Sequence, residues 1–445
     1  MNCKYITKNI FWLASYIDSF QLFFKVASYI PQLARIDPSK WGVSICTVDG
    51  QRISYGNYND PFSLQSVSKA FSYALALNDL GADYVHRYVG QEPSGRIFDA
   101  ICLDHDNRPH NPLINAGSLV VSAMIKNSWK LADRFDYCMT MFKKMSGEGF
   151  IGFNNPIFLS ERESSDRNHA LFYYLREHKC FPEELNLDHT LDFYFQLCSM
   201  EITCESGSVM AATLANGGVC PTTGEKVLSN RSCRDTLSLM YSCGMYDYSG
   251  QFAFRVGLPA KCGYSGVMMM VVPNVMGICL FSPALSSLRT PLRGVKFAEE
   301  FVEKFNFHNY DSLLNAESQK VDPRKHLNEL HGEQIVNLLF SAKAGDISAL
   351  KRCLMQGMNL DLPDYDGRTA LHVAACEGHL HIIRFLLEQG KAQVSSTDRW
   401  SRTALDDAKQ FKQTACARYL EAWAKKSEQS NLAVKETKQH YVDTD

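Results

Sequence analysis

The chain has 445 residues, which at about 100–200 residues per domain gives two or three domains. Hydrophobic residues make up 45% and charged residues 21%, a globular composition that excludes disordered and collagen-like classes. Forty-six Lys and Arg face 48 Asp and Glu, a formal net charge of −2, so no basic field is present to hold nucleic-acid phosphates. The 15 cysteines form no C-x-x-C pair and follow no secretory signal, which favours reduced thiols over a disulfide framework or a zinc site.

Residues 1–25 read as an N-terminal arm. It is apolar and aromatic (Ile10, Phe11, Trp12, Leu13), lacks arginine and carries Asp18, so it does not read as a transit peptide. Trp41–Thr47 and Gln51–Tyr55 read as two strands around an Asp49-Gly50 turn, where glycine supplies the positive φ. Ser66–Leu80 has helical periodicity, with Gly81 as its stop. Ala116–Ile125, Phe135–Met145 and Leu191–Leu214 also read as helices, and Val256–Leu280 returns to strands. The most apolar run, Gly266–Leu285, is broken by Pro273-Asn274 into halves shorter than the about 20 residues a spanning helix needs. Two buried strands joined by a tight turn are expected there, and no membrane span. Strand pair, helical insert, strand pair is an α+β layout.

Residues 26–307 therefore form the unit that can carry chemistry, followed by a polar linker over 308–334. Beyond it the chain repeats itself. Asp366-Gly367-Arg368-Thr369-Ala370-Leu371-His372-Val373-Ala374-Ala375 returns, degraded, as Trp400-Ser401-Arg402-Thr403-Ala404-Leu405-Asp406-Asp407-Ala408. The period, 33 from Gly345 to Gly378 and 34 from Thr369 to Thr403, is that of the ankyrin turn–helix–helix unit, and Thr-Ala-Leu-His-Val-Ala-Ala resembles its consensus. Residues 335–424 are assigned to this all-α stack, the middle unit complete and its neighbours acting as caps. Residues 425–445 read as a disordered tail.

The phosphate loop G-x-x-x-x-G-K-[ST], H-E-x-x-H and G-x-S-x-G are all absent. Ser66-Val67-Ser68-Lys69 is present, opening an apolar helix. At i and i+3 the two side chains share a helix face, and a buried, neutral lysine can take the proton of a serine nucleophile. Ser348-Ala349-Leu350-Lys351 has the same spacing but lies in the repeat region and reads as a solvated face. Lys261-Cys262-Gly263, on an expected edge strand, supplies the Lys-x-Gly wall that faces S-x-x-K in β-lactamases and penicillin-binding proteins. Helix motif first and strand motif later is the order of that class.

Five further segments carry a resemblance. Tyr29-Ile30-Pro31-Gln32-Leu33-Ala34, Trp41–Gly50, Pro109-His110-Asn111-Pro112-Leu113-Ile114-Asn115-Ala116-Gly117, Ser160-Glu161-Arg162-Glu163-Ser164 and Cys243-Gly244-Met245-Tyr246-Asp247 resemble the glutaminase family. The similarity is greatest to the animal kidney/liver type with C-terminal ankyrin repeats, and it covers about residues 26–425. It implies a serine β-lactamase/penicillin-binding-protein-like α+β domain that hydrolyses L-glutamine to glutamate and ammonia through a glutamyl-serine, feeding glutamine catabolism and glutamate synthesis.

By the same resemblance Ser66 is the nucleophile, Lys69 and Tyr246 pass the proton, and the N–H groups of Ser66 and Tyr264 form the oxyanion hole. A tyrosine relay needs a neighbouring cation to lower a pKa of about 10. Glu161 would pair with the substrate ammonium, and Tyr29, Asn115, Asn168 and Tyr194 with its other polar atoms. Read singly, each has a plainer role: Glu161 in an ion-pair face, the asparagines as caps, the tyrosines as core aromatics. No cofactor or metal is expected, and inorganic phosphate is the expected activator. The resemblance also implies a homotetramer or longer assembly and a mitochondrial address, with a cytoplasmic form as the alternative; the ankyrin partner stays open.

Three departures stand out. Cys262 and Tyr264 occupy positions where the family has serine and commonly valine, which puts a ring beside the oxyanion hole. Ala100, in the segment Gly95–Ala100 that matches the family's mobile activation loop, replaces a lysine. The family's mitochondrial forms also begin with a segment not seen here. A catalytically weakened paralogue acting as an ankyrin scaffold is the competing reading.

Overall fold

The computed structural model describes residues 3–19, 25–182, 187–311, 320, 327–355 and 358–426. The tail expected over 425–445 lies outside them from residue 427 onward, as does most of the linker. The chain forms two compact units, the larger mainly residues 2–311 and the smaller mainly residues 323–445.

The larger unit is α+β. Its main sheet is antiparallel with strand order β2-β1-β8-β7-β6. The hairpin β1 (Gly42–Thr47) and β2 (Arg52–Gly56) turns at Gly50, whose φ of +83° only glycine takes without penalty. β6 (Ala260–Cys262), β7 (Val267–Val272) and β8 (Met276–Phe281) follow late in the chain. β7 and β8 are the two halves of the apolar run, joined at Asn274 with φ +61°, and every residue in both is buried. Both faces of the sheet centre are therefore covered, which explains a continuous apolar run in place of alternation.

The helix Cys204–Ala215 packs on β8 and β1. Gly277 permits it, since a Cβ there would stand 2.1 Å from Ala212 N. Near the other end of the chain, the helix Cys3–Asp18 packs on the helix Leu292–Lys304, and Trp41 Nε1 donates to Ala14 O at 3.1 Å. The helix Cys3–Asp18 of the arm is thus part of the folded unit.

A second, three-stranded antiparallel sheet orders β3 (Phe62–Ser63), β5 (Met200–Ile202) and β4 (Ile151–Phe153) as β3-β5-β4. β5 corrects the single helix expected over Leu191–Leu214. One helix ends at Cys198 and another starts at Cys204 behind Thr203, whose side chain accepts from Ser206 N in a capping box. Apolar periodicity continues through both helices and hides the break.

Among the described residues the smaller unit holds three helix pairs: Leu327–Ala344 with Ile347–Met355, Ala370–Glu377 with Leu380–Glu388, and Ala404–Gln410 with residues 414–426. Thr369 and Thr403 head corresponding helices with capping boxes, which is why the Thr-Ala-Leu signature repeats. Among the described residues no helix is long and apolar enough to cross a membrane.

Candidate active site

β3 delivers the chain to a sharp corner. Leu64 N–H donates to Met200 O at 2.8 Å, Gln65 turns with φ +48°, and Gln65–Val67 forms a 3-10 turn leading into the helix Ser68–Leu80. Ser66 sits on this corner, half-buried, while Lys69 one turn on is 2% exposed. The opposite wall is the β6–β7 connection. Ser265 Oγ donates to Ser63 O at 2.6 Å, and a Cβ on Gly263 would stand 2.8 Å from Leu64 O, so a side chain at Gly263 would push the walls apart. β6 is the edge strand, as expected for the Lys261-bearing motif.

Between these walls lies a cavity of about 730 Å³. It is lined by Ser66 together with Tyr29, Asn115, Glu161, Asn168, Tyr194 and Tyr264, residues drawn from seven separate stretches of sequence. Lys69, Tyr246, Lys261, Cys262 and Gly263, also singled out in the sequence, are not among the residues that line it.

Lys69 Nζ donates to Asn115 Oδ1, and its amine lies 5.7 Å from the Phe98 ring centre. Burial and then the nearby Lys261 bring its pKa down to about 7, so close to half of the amine is free base at neutral pH. Lys261 is fully buried and, through burial, drops to about 8. Its Nζ donates to Gly244 O at 3.1 Å and to Cys262 O at 2.9 Å, and it stands 4.4 Å from the Tyr246 ring centre.

The cation beside Tyr246 does not have the effect anticipated for a tyrosine relay. Burial raises the Tyr246 hydroxyl well above its ordinary value, and the proximity of Ser66 offsets this only in part. Tyr246 therefore keeps its proton, and its buried hydroxyl has no partner with closed hydrogen-bond geometry. Tyr264 shows the same combination of raised pKa and unpartnered hydroxyl.

Tyr29 Oη lies within hydrogen-bond distance of both Glu161 Oε1 and Gln65 Oε1, the latter at 2.7 Å, and its single proton goes to one of them at a time. Glu161, on the helix Asn155–Glu163, is 8% exposed, and burial raises its pKa against the hydrogen bonds of Tyr29 and Gln65 and the charge of Lys69. A ligand ammonium at this carboxylate would pull its pKa back down by stabilising the anion. Asn115 Nδ2 donates to Asn168 Oδ1 at 3.1 Å, and Tyr194 Oη donates to Asn115 Oδ1 at 3.4 Å. Asn115 is thus the hub that joins Lys69 to Asn168 and Tyr194. The turn leading into its helix is held by Asn111, whose Oδ1 takes the N–H groups of Leu113 and Ile114.

Three contributors escaped the sequence reading. Gln65 adjoins Ser66 and orients Tyr29, a role local spacing could have suggested. Phe98 packs 4.9 Å from Tyr246 and accepts Asn115 N–H through its carbonyl at 3.0 Å. Arg289 enters the lining from a distant turn with no motif around it.

A serine–lysine corner facing an edge-strand lysine, on an α+β scaffold, defines the β-lactamase/penicillin-binding-protein-like class of enzymes. A family model described as "Glutaminase" matches residues 25–310, more than half of the chain, and one described as "Ankyrin repeats (3 copies)" matches residues 338–429. The mouse "Glutaminase liver isoform, mitochondrial" is 53% identical over 397 residues, 89% of this chain and 66% of its own length, so the chain spans about two thirds of that relative. A Nostoc glutaminase is 42% identical over 65% of this chain and 85% of its own. The solved structure described as "Probable glutaminase ybaS" superposes with a TM-score of 0.64 at 30% identity, over 67% of this chain and 96% of that one. The chain belongs to the glutaminase family. It is an enzyme of that family that carries ankyrin repeats after the catalytic unit.

Proposed function

We propose that the enzyme hydrolyses L-glutamine to L-glutamate and ammonia through a glutamyl ester of Ser66. The observation that carries this reading is a buried lysine with a pKa of about 7 one helical turn from a cavity-lining serine. Lys69 as free base takes the Ser66 proton while Ser66 Oγ attacks the side-chain amide carbon. Tyr246, still a phenol, stands beside Ser66 to hand its own proton to the departing nitrogen as the tetrahedral centre collapses. The proton on Lys69 replaces it. Ammonia leaves, and water attacks the ester by the reverse traffic to free glutamate.

The N–H groups of Ser66 and Tyr264 are suited to the developing oxyanion. Tyr264 N–H has no backbone acceptor among the described residues, and the Gly263 approach brings that strand against the Ser66 corner. Glu161 receives the substrate ammonium, while Asn115, Asn168, Tyr29 and Tyr194 meet its carboxylate and carbonyl. The Tyr264 ring crowds the oxyanion side of the cavity and limits turnover.

Two buried lysines, Lys69 one turn after Ser66 and Lys261 near enough to depress the Lys69 pKa, favour catalysis over the scaffold reading, since a pure adaptor gains nothing from holding them. Ammonia release from glutamine by the full chain and by Ser66→Ala is the test. Loss of at least about a thousandfold in the variant, with its fold intact, is expected. Equal activity in the two would remove the nucleophile, and none in either would favour the scaffold. A mitochondrial address belongs to the same proposal, supported by the mouse relative's name, while assembly into tetramers or longer forms and phosphate activation despite Ala100 are carried over from the sequence resemblance alone.

A further inference from the structure

The turn Ser286–Thr290 carries a backbone anomaly. Arg289 has φ +66°, the left-handed region that favours glycine, within a closed turn: Arg289 N–H donates to Ser286 O and Ser286 N–H to Thr290 O, each at 2.9 Å. An arginine held in that conformation points to a side chain that does something. Among the described residues no carboxylate pairs with it. Its guanidinium carbon instead lies 5.4 Å from the Phe98 ring centre and 5.8 Å from that of Tyr264, and these two rings meet edge to face at 5.4 Å.

Phe98 matters because of what it covers. Its ring lies beside Tyr246 and Lys69, and its carbonyl accepts Asn115 N–H. The segment that carries it, Gly95–Ala100, has few other ties: Arg167 Nε donates to Asp99 O at 3.0 Å, and Ile97 is 49% exposed. We propose that Arg289 is a positioning residue, its guanidinium clamping Phe98 against Tyr264 so that Gly95–Ala100 stays seated as one wall of the substrate cavity. This deepens the glutamine-hydrolysis reading and rests on it for its kinetic consequence, while the clamp has a consequence of its own.

The test compares Arg289→Gly, Arg289→Lys and the parent, all as full chains. Glycine suits the turn, so its melting temperature holds or rises. Without the cation, KM for glutamine rises about two- to fivefold, the range a single cation–aromatic contact supplies. kcat stays within about twofold, because Ser66 and Lys69 are untouched. Lysine, which keeps the charge over the rings, restores KM towards that of the parent. Tryptic cleavage after the exposed Arg96, followed by mass spectrometry, accelerates in Arg289→Gly by a factor similar to the rise in KM. Faster cleavage in a chain that never hydrolyses glutamine would keep the clamp and remove the reaction. Parent-like KM and parent-like cleavage in Arg289→Gly would overturn the clamp. So would a fall in melting temperature that took kcat and KM down together, which marks a purely structural arginine.

Discussion

The two units bury charge in opposite ways. In the ankyrin unit Asp407 meets Arg368 at 3.0 Å and Asp398 meets Arg402 at 3.0 Å. The fully buried His372 takes Thr369 N–H on Nδ1 and lies 3.1 Å from Arg402 O on Nε2. In the catalytic unit Lys69 and Lys261 are buried with only carbonyl oxygens as hydrogen-bond acceptors among the described residues, and the Tyr246 hydroxyl is left open. A buried charge that is matched holds architecture together. One that is left without a counter-ion stays out of water only because the rest of the unit is stable enough to carry it, and such groups are poised to move protons.

The contrast is most exposed to Lys69→Met. Turnover is expected to fall at least about a thousandfold, while stability rises on the order of a few kcal/mol at pH 7, since an amine whose folded pKa is depressed penalises the native state. That penalty is complete below about pH 7 and disappears as pH climbs to the unfolded lysine value, so the stability gain should shrink at alkaline pH. Thermal melts across pH 6–10 check it, and a variant less stable than the parent at pH 7 would break the comparison. In the intact enzyme, kcat/KM should climb with pH through about 7 as Lys69 loses its proton, whereas a flat profile there would remove it as the base.

In the ankyrin unit the sign reverses. Asp398→Ala strips a carboxylate from Arg402 and from the N–H groups of Trp400 and Arg402, and should lower the melting temperature of the chain. Glutamine kinetics should not change, which a melt and a steady-state assay on one preparation would show. Tyr264→Val sharpens the catalytic side. Relief of crowding should raise kcat about two- to fivefold, while KM rises because Phe98 loses a ring partner; an unchanged kcat ends the crowding reading. Cys262→Ser should have the smallest effect, within about twofold in kcat/KM, because the backbone carbonyl at this position holds Lys261 and the thiol is buried in the strand.

Much of this was legible before any coordinates. The hairpin at Gly50, the paired strands around Asn274, the Ser66-bearing helix and the repeat spacing all follow from local pattern, because turn chemistry and periodicity act over a few residues. The short strands β3, β4 and β5 were not legible. Two or three residues carry too little periodicity, and pairing such as Ser63 with Glu201 is set by contacts remote in sequence. The same limit applies within the site. Ser66, Lys69 and Lys261 stand in recognisable spacings, whereas Phe98 was visible only as part of the segment Gly95–Ala100, with no role of its own, and Arg289 shows no signal until the chain is folded.

Gln65 and Tyr246, one next to the nucleophile and one facing it, both hold positive φ, +48° and +54°. Each such residue stores on the order of 1–3 kcal/mol that relaxation would release. The corner where bonds are made is therefore also a place with something to gain by loosening. On gradual warming, hydrolysis should fade while the helical signal of both units still stands.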